Sequence, residues 1–178
     1  MPNTYTNFNA SLTKRLTDYI EREASRLTIA DLERLIIDLP LLRKRLNEVL
    51  IQRHPDLLEQ FEFLALVIEG KVRKLNGAPI PLALAEAAYA VLYCERAADL
   101  IPDRIPVLGL LDDAAIVNLV LRRHEDTFRS SPHANRLRWP VPTVKVDGLL
   151  SVVSQLRLTE FFPSSVAESQ RNRSLAES

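Results

Sequence analysis

The chain has 178 residues, 47% of them hydrophobic and 26% charged, which is typical of a globular protein with one sizeable core. Lysine plus arginine and aspartate plus glutamate number 23 each, so there is no net charge to draw the chain to nucleic acid or anionic lipid. A single cysteine, Cys94, excludes an intramolecular disulfide, and four scattered glycines exclude the glycine-rich loops that hold nucleotide phosphates.

Helical periodicity runs through most of the sequence and predicts an all-α fold, a single bundle of about six or seven helices. The first predicted helix is capped by Asn9, and Thr28-Ile-Ala-Asp31 resembles a capping box that opens the second. Pro40 is expected to divide the next stretch into two helices, because proline favours the first turn of a helix. His54-Pro55-Asp56 is expected to begin the helix after that, which Asn76-Gly77 ends.

The remaining regions follow from changes in composition. Residues 1–77 form the N-terminal helical region, and residues 78–128 hold two apolar helices, expected to form an antiparallel hairpin packed on it as one domain. Residues 129–162 combine a basic, proline-containing loop with a short helix. Residues 163–178, rich in serine, glutamate and arginine, predict a disordered tail.

Three blocks between the two apolar helices carry a family resemblance. They are Asp99-Leu-Ile-Pro-Asp103, Ile105-Pro-Val-Leu-Gly109 and Leu111-Asp-Asp113. At this spacing the chain resembles the YkvA-like family of small, mostly bacterial proteins, a domain of unknown function, over about residues 78–121. The resemblance implies a helical hairpin in this region. Members of the family are often membrane-associated, and the resemblance implies no general activity.

Four aspartates lie in these blocks, and folding of the hairpin would bring them toward one end of two helices: Asp99, Asp103, Asp112 and Asp113. Like charges so placed repel unless a cation, an arginine or a helix N-terminus neutralises them. Three interpretations stay open. The carboxylates cap helices and pair with arginines, they form a site for a hard cation, Mg²⁺ or Ca²⁺, or they carry out hydrolytic chemistry. Nothing else in the sequence indicates a cofactor or a catalytic nucleophile.

The candidate partner-binding residues are the only tryptophan of the sequence and three residues close to it: Arg136, Arg138, Trp139 and Pro140. Tryptophan, proline and arginine provide rigid contact area at a protein interface. Basic side chains also suit phosphate or anionic lipid, but a chain without net charge makes nucleic acid an unexpected partner. His124-Glu125-Asp126, at the end of a predicted helix, is interpreted as a solvated cap.

The N-terminal residues lack the basic and apolar segments of a secretory signal, and no apolar run is long and uncharged enough to span a membrane. We therefore expect a cytoplasmic protein, with the inner face of the membrane as a second place where the apolar hairpin could lie. The predicted function is that of a non-enzymatic adaptor or assembly protein that binds another protein, self-association included. The alternative is a divalent-metal-dependent enzyme or metal-regulated module built on the four aspartates.

Overall fold

The computed structural model describes residues 4–50, 54–94, 111–130 and 139–140. Within these ranges the structure is entirely helical and contains no strand, which confirms the all-α prediction. Its helices are α1 (Thr4–Ala24), α2 (Ile29–Leu50), α3 (Pro55–Val72), α4 (Leu82–Tyr93), α5 (Leu111–Arg123) and α6 (Glu125–Arg129). The predicted tail, and all of residues 129–162 except 129–130 and 139–140, lie outside the described residues.

The capping box predicted at the start of α2 is present. The backbone N–H of Thr28 donates to the Asp31 carboxylate at 2.8 Å, and the N–H of Asp31 donates to the Thr28 hydroxyl at 3.3 Å. These bonds satisfy backbone donors that the first turn of a helix otherwise leaves unbonded. Hydrogen bonds from the Thr28 hydroxyl and N–H also hold the pKa of Asp31 below its ordinary value.

The prediction that Pro40 divides two helices is wrong, because α2 continues through it. A proline inside a helix removes one backbone hydrogen bond and costs about 3 kcal/mol relative to alanine. Leucines on both sides of the proline face the core and are almost completely buried: Leu35, Leu39, Leu42 and Leu46. Since each buried leucine stabilises the fold by about 1.5–3 kcal/mol, the shared stripe outweighs the proline.

α3 lies at the centre of the fold and packs against α2, α4 and α5. Its buried side chains point in several directions, as the wide apolar stripe of the sequence indicates: Leu57, Gln60, Phe61, Phe63, Leu64, Ala65, Val67, Ile68 and Val72. The turn after α3 places Asn76 at φ 44° and Gly77 at φ 82°, in the left-handed region that favours glycine. The helix itself ends at Val72, so Asn76 and Gly77 form the turn that follows α3, and the predicted end of the helix is a few residues too late.

α4 is the most apolar helix, and ten of its twelve residues are buried. It packs against α1, α3 and α5, and its alanines allow these neighbours to approach closely. Among the helices described here, none is both long and apolar enough to cross a membrane.

Candidate functional site

The most buried charged group of the described residues is the carboxylate of Glu86 in α4, which is only 1% exposed. Arg123, the last residue of α5, donates from Nη1 to Glu86 Oε1 at 2.8 Å. His124 follows directly, and its Nε2 lies 2.7 Å from Glu86 Oε2. Both carboxylate oxygens are therefore engaged, as a buried charge requires.

Arg123 extends this network to a third helix. Its Nη2 donates to Glu21 Oε2 in α1 at 2.6 Å, so one guanidinium joins α1 to α4. The His124 ring also packs edge-on against Phe128, with 5.7 Å between ring centroids. Because the members of the network bond to one another across α1, α4 and the end of α5, the arrangement holds these helices together.

The interpretation of His124 as a solvated cap is wrong, since its side chain is 12% exposed and bonded to Glu86. The sequence did contain a signal for this network. Glu86 is the only charged residue of α4, and a charge in an otherwise apolar helix needs a partner. Its partner Arg123 is 37 positions away, a separation that helical periodicity does not connect.

A second polar contact joins the buried faces of α3 and α5. The Gln60 amide donates to Asn118 Oδ1 at 3.3 Å, and Asn118 donates to the backbone carbonyl of Ala114 at 2.7 Å. Asn118 is completely buried, so these bonds fix the rotation of α5 against α3. The pair is a structural contact within the core.

Of the four aspartates predicted to bind a metal, only the side chain of Asp113 is described. It is buried in the first turn of α5, where the helix N-terminus favours a negative charge. Asp112 belongs to the same turn, but its side chain lies outside the described residues, as do Asp99 and Asp103 entirely. Within the described ranges, no three His, Cys, Asp or Glu side chains are placed to share a metal ion. The Mg²⁺ or Ca²⁺ site stays a prediction.

Of the residues predicted to bind a partner, Arg136 and Arg138 lie outside the described ranges. Trp139 packs edge-on against Phe63 of α3, with 5.1 Å between ring centroids, and the Arg129 guanidinium lies 4.4 Å from the indole centroid. Trp139 is half-buried and Pro140 is buried. A partner at this segment would therefore reach only the outer part of the indole.

A different surface exposes large apolar side chains. Ile37 is 77% exposed and Leu41 is 53% exposed, and they lie one turn apart on the side of α2 that faces away from the core. We call this surface the outer strip. It consists of Ile37 and Leu41 and of the charged residues that flank them on α2: Glu33, Arg34, Asp38, Lys44, Arg45 and Glu48. The sequence did not single them out, because they lie off the leucine stripe that marks the buried face.

An open groove of about 530 Å³ adjoins the outer strip. It runs between the first half of α2 and the turn that follows α3, and it is lined by Ile29, Glu33, Ile36, Ile37, Val72, Arg73, Leu75, Asn76 and Gly77. Its walls are mainly apolar, and Glu33 and Arg73 place one charge of each sign in it. Mainly apolar walls with a few polar groups are typical of binding sites for small ligands and for side chains of another polypeptide.

The opposite side of α2 is held firmly to α3. Arg43 donates from Nε to Glu62 at 2.8 Å, and from Nη1 and Nη2 to the two oxygens of Glu69 at 2.8 and 3.2 Å. The hydrogen bonds that Arg43 donates to Glu69 and then to Glu62 raise the pKa of Arg43 above its ordinary value, against the opposing effect of burial. This clamp fixes the rotation of α2 and so holds the outer strip toward solvent.

Comparison with known proteins connects part of the chain to one family. A family model described as "Protein of unknown function (DUF1232)" matches residues 83–119, which cover the first nine residues of α5 and all of α4 except for its first residue. No curated protein and no solved structure matches the chain. The similarity thus supports assignment of this segment to an uncharacterised family, and α1 to α3, with the outer strip and its groove, lie outside the matched segment.

Proposed function

We propose that the chain is a non-enzymatic assembly protein that binds another polypeptide, and that the outer strip with its groove is the contact surface. The observation that carries this proposal is the 77% exposure of Ile37 beside an apolar groove. Burial of an isoleucine side chain stabilises a complex by about 1.5–3 kcal/mol, and contiguous exposed apolar surface typically marks an interaction site.

The outer strip takes precedence over the residues predicted around Trp139 as the contact surface. Trp139 already packs against Phe63 and Arg129, so much of its apolar area is used within the chain. Within the part of the chain that the structure describes, Ile37 and Leu41 have no such cover. The clamp on Arg43 lowers the entropic cost of binding further, because it orders the helix before a partner arrives.

A protein partner fits the packing better than a membrane surface. An amphipathic element at a membrane must present its apolar residues to lipid. Ten of the twelve residues of α4 are instead buried within the fold. Membrane contact through the apolar hairpin would require that these residues leave the core.

The finer arrangement that we propose is an antiparallel hairpin of α4 and α5 within a helical bundle, as in the YkvA-like family. Glu86 lies in the first half of α4 and its partners Arg123 and His124 lie at the end of α5, which supports opposite directions for the two helices. The matched segment, residues 83–119, overlaps the region of the resemblance.

The proposal is tested by site-specific photo-crosslinking in native cells. A photoreactive amino acid replaces Ile37 in one version of the full chain and the well-exposed Lys14 of α1 in a control version. We expect a discrete adduct from position 37, which Leu41→Asp abolishes without a change in the circular dichroism spectrum. No adduct from position 37, or the same adducts from both positions, would contradict the proposal.

A further inference from the structure

We propose that the polypeptide bound by the outer strip is a second copy of this chain, packed through α2 in antiparallel orientation about a two-fold axis at Leu41. This inference rests on the proposed function, since it names the partner of the same surface. A two-fold interface brings one surface patch against itself, so the patch must be complementary to its own reversed copy. The charges of α2 meet this requirement.

The two halves of α2 carry opposite charge on the outer side. Before Leu41 the flanking charges are mainly acidic: Glu33, Arg34 and Asp38. Asp31 is not counted, because its carboxylate accepts the capping hydrogen bonds from Thr28. After Leu41 they are mainly basic: Lys44, Arg45 and Glu48. Arg43 does not count among them because it is clamped against α3. An antiparallel copy places each acidic half beside a basic half and also opposes the two helix dipoles favourably.

Helix geometry fixes which charges meet. With 3.6 residues per turn, Asp38 and Arg45 lie on the same flank, about 60° and 40° around the helix from Leu41. Asp38 lies three residues before the axis and Arg45 lies four residues after it. In an antiparallel pair Arg45 therefore faces the partner's Asp38. Arg34 and Glu48, each about 20° from Leu41, are seven residues before and after it. Arg34 therefore faces the partner's Glu48, and symmetry repeats both pairs.

The apolar residues fit the same register. Leu41 meets the partner's Leu41 on the axis, and Ile37, on the other flank, meets the aliphatic stem of the partner's Lys44. A parallel two-fold arrangement would instead place each residue beside its own copy, with Arg34 on Arg34 and Arg45 on Arg45. The repulsion between these like charges disfavours it.

The local ion pair on the strip does not compete strongly with this arrangement. Arg34 Nε lies 3.7 Å from Asp38 Oδ2, and both side chains are well exposed. Exposed pairs four residues apart on a helix contribute only about 0.3–0.5 kcal/mol. Both side chains are thus available to reach across to the second copy.

The test measures the mass of the purified full chain by sedimentation equilibrium. We expect a concentration-dependent species of twice the 20.2 kDa of one chain. Asp38→Arg and Arg45→Asp should each weaken association by about tenfold or more, since each change turns two symmetric attractions into repulsions. A mixture of the two variants should recover the dimer, because positions 38 and 45 of unlike chains then carry opposite charges wherever they face each other.

Recovery in the mixture separates this inference from general destabilisation, which mixing cannot repair. Leu41→Asp should abolish the dimer in every combination, and Lys14→Asp on α1 should leave it intact. A chain that stays at 20.2 kDa at all concentrations, or a mixture that stays monomeric, overturns the inference. If a monomeric chain still forms an adduct with a different polypeptide at position 37, the proposed function stands; if no adduct forms, both fail.

Discussion

Replacement of Glu86 by alanine should destabilise the fold by about 3 kcal/mol. The carboxylate is 1% exposed and accepts hydrogen bonds from Arg123 and from His124 at 2.8 and 2.7 Å. A hydrogen bond to a charged group contributes about 1.5–3 kcal/mol, and removal of one member of a buried ion pair costs about 3–5 kcal/mol. In this variant Arg123, which is 28% exposed, keeps its bond to Glu21. The expected loss of stability therefore lies at the lower end of the range for a broken buried ion pair.

Two milder changes give the ranking that tests this reasoning. Glu86→Gln keeps the shape and one acceptor oxygen but removes the charge, so we expect a loss of about 1.5–2 kcal/mol. Glu21→Gln removes a pair whose carboxylate is 48% exposed, and we expect at most about 1 kcal/mol. Asp18→Asn, which breaks the exposed pair with Lys14, is a control with an expected loss of about 0.3–0.5 kcal/mol.

The free energy of unfolding is measured by urea denaturation followed by far-ultraviolet circular dichroism. The double variant Glu86→Ala/Arg123→Ala should lose less than the sum of the two single variants, because the first change removes the interaction that the second would break. Additive losses, or a Glu86→Gln variant no less stable than Glu21→Gln, would refute the view that Glu86 is the centre of the network.

Three further predictions concern α2 and the turn after α3. Arg43→Lys should destabilise the fold by about 1–2 kcal/mol in the same denaturation assay, because one ammonium cannot reproduce the guanidinium bonds to two carboxylates of α3. Asp31→Asn should lower stability near neutral pH. The pKa of Asp31 is lower in the folded than in the unfolded state, so the stabilisation from its charge is present above the unfolded pKa and is lost as the pH falls through the folded pKa. The stabilities of the variant and the parent should therefore converge in acid. Gly77→Ala should cost about 1 kcal/mol through backbone strain at φ 82° alone, since its new Cβ would meet no atom within 4 Å, and a stability change near zero in thermal melts would contradict this.

Local signals in the sequence predicted much of the fold. The capping box at Thr28, the turn at Asn76 and Gly77, and the start of α3 depend on residues next to one another, so a linear pattern carries them. The predicted cap at Asn9 is wrong, because α1 begins at Thr4 and Asn9 lies inside the helix. Pro40 is the more instructive failure. Its local preference for a helix start was overridden by leucines on both sides, whose burial depends on α3 and not on neighbouring residues.

The candidate sites were harder to predict because they depend on residues far apart in the chain. Glu86 and Arg123 are 37 positions apart, and only the packing of α4 on α5 brings them together. Trp139 is predicted to bind a partner because tryptophan, proline and arginine provide rigid contact area, and its contact with the distant Phe63 is one that no local sequence pattern shows. The outer strip was missed for another reason: the leucine stripe of α2 marks the buried face, and Ile37 and Leu41 lie off it.

The continuity of α2 and the proposed self-association depend on each other. Ile37 and Asp38 precede Pro40, whereas Leu41 and Arg45 follow it, so all four share one surface only if the helix runs unbroken through the proline. The buried leucines that hold the helix together across Pro40 therefore also set the register in which Asp38 and Arg45 share a flank. A break at Pro40 would rotate the basic half away from the acidic half and remove the self-complementarity. The same core packing that contradicts the local preference of proline thus creates the surface on which the proposed dimer depends.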